Sequence, residues 1–155
     1  MTTTPGTAGT PIAHPTGIHH VRLSVTDVVR SKDFYRTVFG AEPVVDETGA
    51  LSDPAAVDDP ERLYGGCVFA CGQQRLGLRP VAAAPGETFQ ATRVGLDHVS
   101  FAVGSREELV TAAARLAEAG IPHGEVTELP AHAIVILSLQ DPDDINLELT
   151  APLEP

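Results

Sequence analysis

The sequence predicts an α+β fold of two tandem βαβββ modules, and three observations carry that prediction. A nine-residue stretch occurs twice, each copy alternates apolar with other residues, and one amphipathic helical stripe follows each copy. Gly17-Ile18-His19-His20-Val21-Arg22-Leu23-Ser24-Val25 returns as Gly95-Leu96-Asp97-His98-Val99-Ser100-Phe101-Ala102-Val103 at a constant offset (98 − 20 = 78). Alternation at a period of two is the mark of a strand with one buried face. It sends Val21, Leu23 and Val25 to one face, and Val99, Phe101 and Val103 to the matching face of the second copy. His20, Arg22 and Ser24 take the opposite face, as do His98, Ser100 and Ala102. Each copy therefore presents an imidazole on the face turned away from its apolar side. A repeat at this spacing is the strongest organisational signal in the chain.

The elements follow in order. Thr26-Asp27 supplies a helix cap, Phe34, Tyr35, Val38 and Phe39 share one helical stripe, and Gly40 provides the stop. Residues 41–46 read as a second strand. Residues 47–66, rich in Pro, Asp and Gly, read as a loop with one helical turn around 54–63 and as a candidate lid. Residues 67–71 and 75–81 form a hairpin closed by Gly72-Gln73-Gln74. In the second module Ser105 and Glu108 make a capping box. Leu109, Ala112, Ala113, Leu116 and Ala117 give an apolar stripe, and Gly120 with Pro122 ends it. Strands follow near 123–129, 133–140 and 145–150, the last two joined by the turn Asp141-Pro142-Asp143-Asp144. The expected organisation is a disordered tail over 1–15 and a single domain over 16–152. Within it, module one covers 16–82, a linker 83–94 and module two 95–152.

A chain of 155 residues suits one such domain. No apolar run approaches the roughly 18 residues a membrane span needs, and the N-terminus has neither the basic start nor the apolar core of a signal peptide. Ten basic against twenty-one acidic residues give a net charge of −11. That field repels phosphate backbones and anionic lipid, which excludes nucleic acid and membrane surfaces as partners and leaves a small-molecule substrate. Cys67 and Cys71 lie four residues apart on one strand, about 13 Å, against the roughly 4.4–6.8 Å between Cα atoms that a disulfide allows. Reduced thiols without an export signal point to the cytoplasm.

In Ile145-Asn146-Leu147-Glu148-Leu149-Thr150 the apolar residues share one face, and Asn146, Glu148 and Thr150 take the other. A carboxylate beside His20 and His98 completes a 2-His-1-carboxylate set, which leaves part of a metal's coordination sphere open. Fe(II) is the favoured ion for such a set, with Zn(II), Mn(II) or Ni(II) as alternatives. His132 shares parity with Ile134, Ile136 and Ser138 and is a candidate acid or base. Arg22, Arg75 and Arg79 have cavity-side parity in module one, where a guanidinium binds a substrate carboxylate. Ser100 and Asn146 flank the ligands and are candidates to orient them or to touch substrate. His19 has the opposite parity and reads as structural, His14 falls in the tail, and His123 reads as surface.

Four pieces in this order resemble the vicinal oxygen chelate superfamily, which includes glyoxalases, extradiol dioxygenases and bleomycin- and fosfomycin-resistance proteins. They are His20-Val21-x-Leu23-x-Val25, Phe34-Tyr35-x-x-Val38-Phe39-Gly40, His98-Val99-x-Phe101-x-Val103 and Asp141-Pro142-Asp143-x-x-x-Leu147-Glu148-Leu149. The resemblance spans residues 17–152 and implies an open, curled mixed β-barrel with the helices outside. It also implies up to four ligands, at His20, Gly77, His98 and Glu148, of which Gly77 cannot ligate and instead leaves room for substrate. The implied function is a divalent-metal-dependent enzyme, foremost a non-haem Fe(II) oxygenase acting on a small vicinal-oxygen substrate. A glyoxalase- or epimerase-type isomerase or lyase with a non-redox metal is the first alternative, and a metal-free antibiotic-binding protein the second. Exposed barrel edges and small size point to a homodimer.

Overall fold

The structure, a computed structural model, describes residues 12–13 and 15–154; His14 and nearly all of the expected tail lie outside them. Module one runs β1 (His20–Val25), α1 (Val28–Phe39), β2 (Val45–Asp46), β3 (Cys67–Cys71) and β4 (Gln74–Pro80). Module two runs β5 (Val99–Ala102), α2 (Arg106–Glu118), β6 (Thr127–Leu129), β7 (Ile134–Gln140) and β8 (Asn146–Pro152). Each forms a four-stranded mixed sheet in the same order, β1-β4-β3-β2 and β5-β8-β7-β6. The first and last strands of each module pair in parallel and the others antiparallel. The α+β class and the paired modules are as the sequence predicts. The two sheets stay separate, so β1 and β5 each keep one edge without a strand partner.

Local chemistry sets the element ends. Asp27 accepts the amides of Val29 and Arg30 at 3.1 and 3.0 Å, and Gly40 closes α1 in the left-handed region at φ 63°, where glycine carries no Cβ penalty. Ser105 accepts the Glu108 amide at 3.3 Å, but the Glu108 carboxylate reaches back to the amide of Gly104 (2.7 Å) instead of Ser105. The capping box is displaced by one residue. The strand expected over 41–46 shrinks to two residues, because Pro43 has no amide to give a ladder and Val44 and Val45 find nothing to bury against. The turn expected around 54–63 is a 3-10 turn at Ala56–Asp58, with two more at Thr48–Ala50 and Leu63–Gly65. Asp46, Asp53 and Asp59 each accept an amide two residues on, a local bond that competes with helix.

Core-facing residues of both modules form one continuous cluster that includes Leu23, Phe69, Leu76, Leu78, Leu109, Leu137 and Leu147. Phe39 joins the halves, its ring 5.8 Å from Phe69 and 5.1 Å from Phe101. A polar clasp lies beside it. The Tyr35 hydroxyl donates to Asp141 at 3.0 Å, and Asp141 also accepts the amides of Asp143 and Ile145 at 2.8 and 3.0 Å. Asp143 accepts from the Thr26 amide and hydroxyl and from Arg30 at 2.9, 2.5 and 2.8 Å. The Asp-Pro-Asp-Asp segment is a turn, as its composition implies, yet Asp141 and Asp143 are only 4% and 5% exposed. Burial raises the Asp141 carboxyl above its ordinary range. Burial first, and Asp141 second, push the Tyr35 phenol well above its ordinary value, which keeps it a donor.

Two consequences follow for Tyr35→Phe. Loss of the clasp bond costs about 1–3 kcal/mol at neutral pH, since Asp141 is left short of a donor. The variant also loses a pH dependence. With a raised folded-state value, Tyr35 penalises folding only where the unfolded phenol ionises, above about pH 10, and there by about 1.4 kcal/mol per pH unit. Urea denaturation from pH 7 to 11 should show wild-type stability falling more steeply above pH 10 than that of the variant.

Candidate metal and substrate site

Module two supplies a preformed pair. β5 and β8 run parallel with Ser100 opposite Glu148, and His98 stands two residues before Ser100, immediately ahead of β5. One Glu148 oxygen accepts from the hydroxyls of Ser100 and Thr150 at 3.1 and 2.8 Å. The other oxygen has no partner among the described residues. Asp97 lies 2.5 Å from His98 Nδ1; a carboxylate only accepts, so Nδ1 is the donor there and Nε2 is the ring nitrogen turned to other partners, the arrangement of many metal-ligating histidines. Asn146 bonds Gln140 at 3.0 Å and the Asp97 carbonyl at 3.4 Å, so it holds the segment that carries His98. Ser100 and Asn146 thus act on the ligand candidates rather than stand free beside them.

Module one repeats the frame with different chemistry. His20 pairs with Arg75 and Arg22 with Gly77 in the β1–β4 register. Gly77 therefore stands where Glu148 stands in module two, opposite the residue two beyond the histidine, as the repeat implies. The room at Gly77 is not open to substrate, however. A Cβ there would lie 3.3 Å from Arg22 Nε and 3.4 Å from its Cγ, so the Arg22 side chain fills the space. His19 is exposed with its Nδ1 3.0 Å from His20 Nδ1, just before β1 begins at His20. Arg75 turns back to the carbonyls of Gly72 and Gln74 and braces the hairpin. Arg79 stacks on the Tyr64 ring, its guanidinium carbon 3.7 Å from the ring centroid, with that of Arg22 at 5.8 Å.

Tyr64 escapes sequence reasoning although the 47–66 loop draws attention as a lid. Leu63, Tyr64 and Gly65 all have positive φ, 53°, 60° and 75°, a run that no propensity signals for Leu and Tyr. The loop is pinned at Gly66, where a Cβ would meet the Leu78 carbonyl at 2.0 Å. His132 departs from its expected place: it closes a 3-10 turn at Pro130–His132, exposed, ahead of a left-handed Ala133. The β7 parity starts at Ile134 and does not extend to it.

The candidate ligands do not all meet within one chain. Among the described residues no three His, Cys, Asp or Glu side chains stand close enough to hold a metal ion. His98 and Ser100 instead line a cleft of about 1420 Å³ whose apolar walls include Val21, Phe39, Val99 and Phe101. Cys67 is buried and its thiol is pushed up to about 12, chiefly by that burial, so it takes no part. No helix among the described residues is long and apolar enough to cross a membrane.

The repeated βαβββ frame with its paired open sheets defines a class, and the comparisons agree. The family model for the glyoxalase/bleomycin resistance protein/dioxygenase superfamily matches residues 17–149, and the chain belongs to that superfamily. A solved glyoxylase/bleomycin resistance protein/dioxygenase domain from Frankia sp. EAN1pec is 28% identical, with a TM-score of 0.70 over 90% of this chain and 99% of that one. A lactoylglutathione lyase from Agrobacterium tumefaciens is 24% identical, with a TM-score of 0.62 over 88% and 94%. A genomically encoded fosfomycin resistance protein from Listeria monocytogenes is 18% identical, with a TM-score of 0.62 over 89% and 94%. The last two likenesses are of fold. No curated protein matches the chain.

The two glycines at this site should respond differently to alanine. Gly66→Ala drives a methyl into a backbone carbonyl and should cost about 2 kcal/mol or more. Gly77→Ala meets only a flexible arginine and gains from a stiffer unfolded chain, so it should stay within about 1 kcal/mol of wild type. Thermal and urea melts of both variants check the contrast.

Proposed function

We propose that the chain is a divalent-metal-dependent enzyme acting on a small vicinal-oxygen substrate. In this reading His98 and Glu148 of one copy and His20 of a second copy hold the ion. The observation that carries it is the module-two pair, in which Asp97 presets the His98 tautomer and two hydroxyls orient Glu148. His20 holds the register that His98 holds in the repeat, on an exposed face, yet no three-residue cluster forms within the chain. Free β1 and β5 edges beside an apolar cleft call for cover. A second copy related by a two-fold axis supplies cover and third ligand together, reciprocally at two sites.

Two neutral imidazoles and one carboxylate leave a divalent ion with net positive charge and open positions, a donor set that fits Fe(II) first and also Zn(II), Mn(II) or Ni(II). When bound, the ion would draw negative charge onto substrate oxygens, and Fe(II) would add one-electron chemistry with O2. Asp97 holds the proton on His98 Nδ1, while Ser100 and Thr150 occupy the Glu148 oxygen that faces them. His132 is not carried into this reading, because its turn holds it outside the strand registers. Capture of a cationic antibiotic is the weaker reading: although the net charge is −11, the open face of module one carries arginines.

The test is complementation between dead variants. Glu148→Gln should weaken metal binding by ~10-fold or more, and His20→Ala should act likewise, with both variants folded. Mixing and re-equilibrating the two should restore about a quarter of the wild-type metal sites, since half the dimers are mixed and each has one intact site. Unchanged metal binding in both single variants, or no restoration when two dead variants are mixed, would overturn the reading. O2 consumption assigns the oxygenase branch, and anaerobic turnover with Zn(II) or Ni(II) assigns the isomerase or lyase branch.

A further inference from the structure

We infer that module one carries an oxyanion cradle, made by Arg22 and Arg79 and shelved on Tyr64, that grips a terminal carboxylate or phosphoryl group of the substrate. The inference deepens the metal-site reading and rests on it for the substrate's second end, though not for the cradle itself.

The first argument is electrostatic. The sequence has ten basic residues, and five of them, Arg30, Lys32, Arg36, Arg62 and Arg106, form ion pairs with carboxylates. Arg22 and Arg79 have neither an ion pair nor a hydrogen bond among the described residues, in a chain with twenty-one acidic side chains to choose from. They occupy one face of two paired strands, Arg22 opposite Gly77 and Arg79 opposite Ser24, so they are diagonal neighbours. Two like charges at that spacing repel each other, and an anion between them removes the repulsion.

The second argument is the scaffolding. Arg79 lies on the Tyr64 ring at 3.7 Å, which fixes the plane of the guanidinium while its in-plane N–H fork stays free for a bidentate oxyanion. Holding Tyr64 there takes a strained loop: Leu63 and Tyr64 adopt positive φ, a cost that persists only where surrounding structure imposes it. Gly66 allows the loop to press on the Leu78 carbonyl, and Gly77 allows Arg22 to lie across β4. At the position where module two has a metal-directed carboxylate, module one has an empty backbone that admits a guanidinium. The repeat has one half specialised for a cation and the other for an anion.

The third argument is span. His20 and Arg22 are two residues apart on the same face of β1, on the order of 7 Å. A substrate chelated at His20 and held by the cradle has a vicinal-oxygen head and an oxyanion tail only a few bonds away. That describes a small, anionic, polar metabolite.

The experiment uses the full chain stripped of metal. Glycolate, methylphosphonate and inorganic phosphate are titrated while arginine Nε–H resonances and tyrosine fluorescence are followed; the chain has no tryptophan and two tyrosines, of which Tyr35 is buried. Saturable shifts confined to Arg22 and Arg79 with a change in Tyr64 emission are expected. Arg22→Gln and Arg79→Gln should each weaken binding about tenfold, as loss of a charge-assisted fork implies. Arg93→Gln, an equal charge change away from the sheet, should leave it unaltered. Tyr64→Ala should weaken it and Tyr64→Phe should retain it. Glycolate bound most tightly assigns a carboxylate tail, and methylphosphonate or phosphate bound most tightly assigns a phosphoryl one. Glu148→Gln should bind the anions as wild type does, so a failed metal site leaves this result intact. Unsaturable shifts, or equal losses in Arg93→Gln and Arg79→Gln, would overturn the cradle.

Discussion

The contact on which the rest of the molecule depends is the clasp between the Asp141–Asp143 turn and the start of α1. Two carboxylates lose their water at a module boundary, and such a loss is stabilising only when each lone pair is met by a donor. Tyr35, Thr26, Arg30 and the turn's own amides meet them. Arg30 and the Thr26 amide belong to the α1 N-terminal region, so the acceptor sits where the helix leaves donors unsatisfied. With Phe39 wedged between Phe69 and Phe101, the clasp fixes module one against module two through the helix side. Both open sheet faces are thereby left free. Within one chain, His20, His98 and Glu148 do not gather into one cluster.

The two modules share a frame and differ in what they hang on it. Register equivalence places Gly77 and Glu148 at the same point, and the chemistry diverges there. Ser100, opposite Glu148, is short enough to donate to the carboxylate. Arg22, opposite Gly77, lies across the space the glycine leaves. Each residue makes sense only with its partner, so Gly77→Glu or Arg22→Ser alone would not rebuild the other module's arrangement.

Much of the fold was legible beforehand because it rests on local and periodic signals. The repeat, the period-two strands, the Asp27 cap and the Gly40 stop need no knowledge of distant residues, and the parity of Leu147, Glu148 and Leu149 is a geometric necessity of a strand. The failures fall where that necessity lapses. His132 lies two residues outside β7 and His19 one residue before β1, so strand parity did not reach either. Residues 41–46 are apolar enough for a strand but lack a surface to bury against.

The sequence by itself determined the two βαβββ modules, their order, and the strand faces on which His20 and Glu148 lie, because side-chain alternation and capping are properties of adjacent residues. Tertiary structure alone decided three things. It buried Asp141 and Asp143, whose partners Tyr35, Thr26 and Arg30 are more than a hundred positions away. It filled the space over Gly77 with Arg22 and set Tyr64 beneath Arg79 through backbone angles that side-chain identity does not encode. And it kept the two sheets apart, since the packing of two finished modules depends on surfaces that exist only once each module has folded.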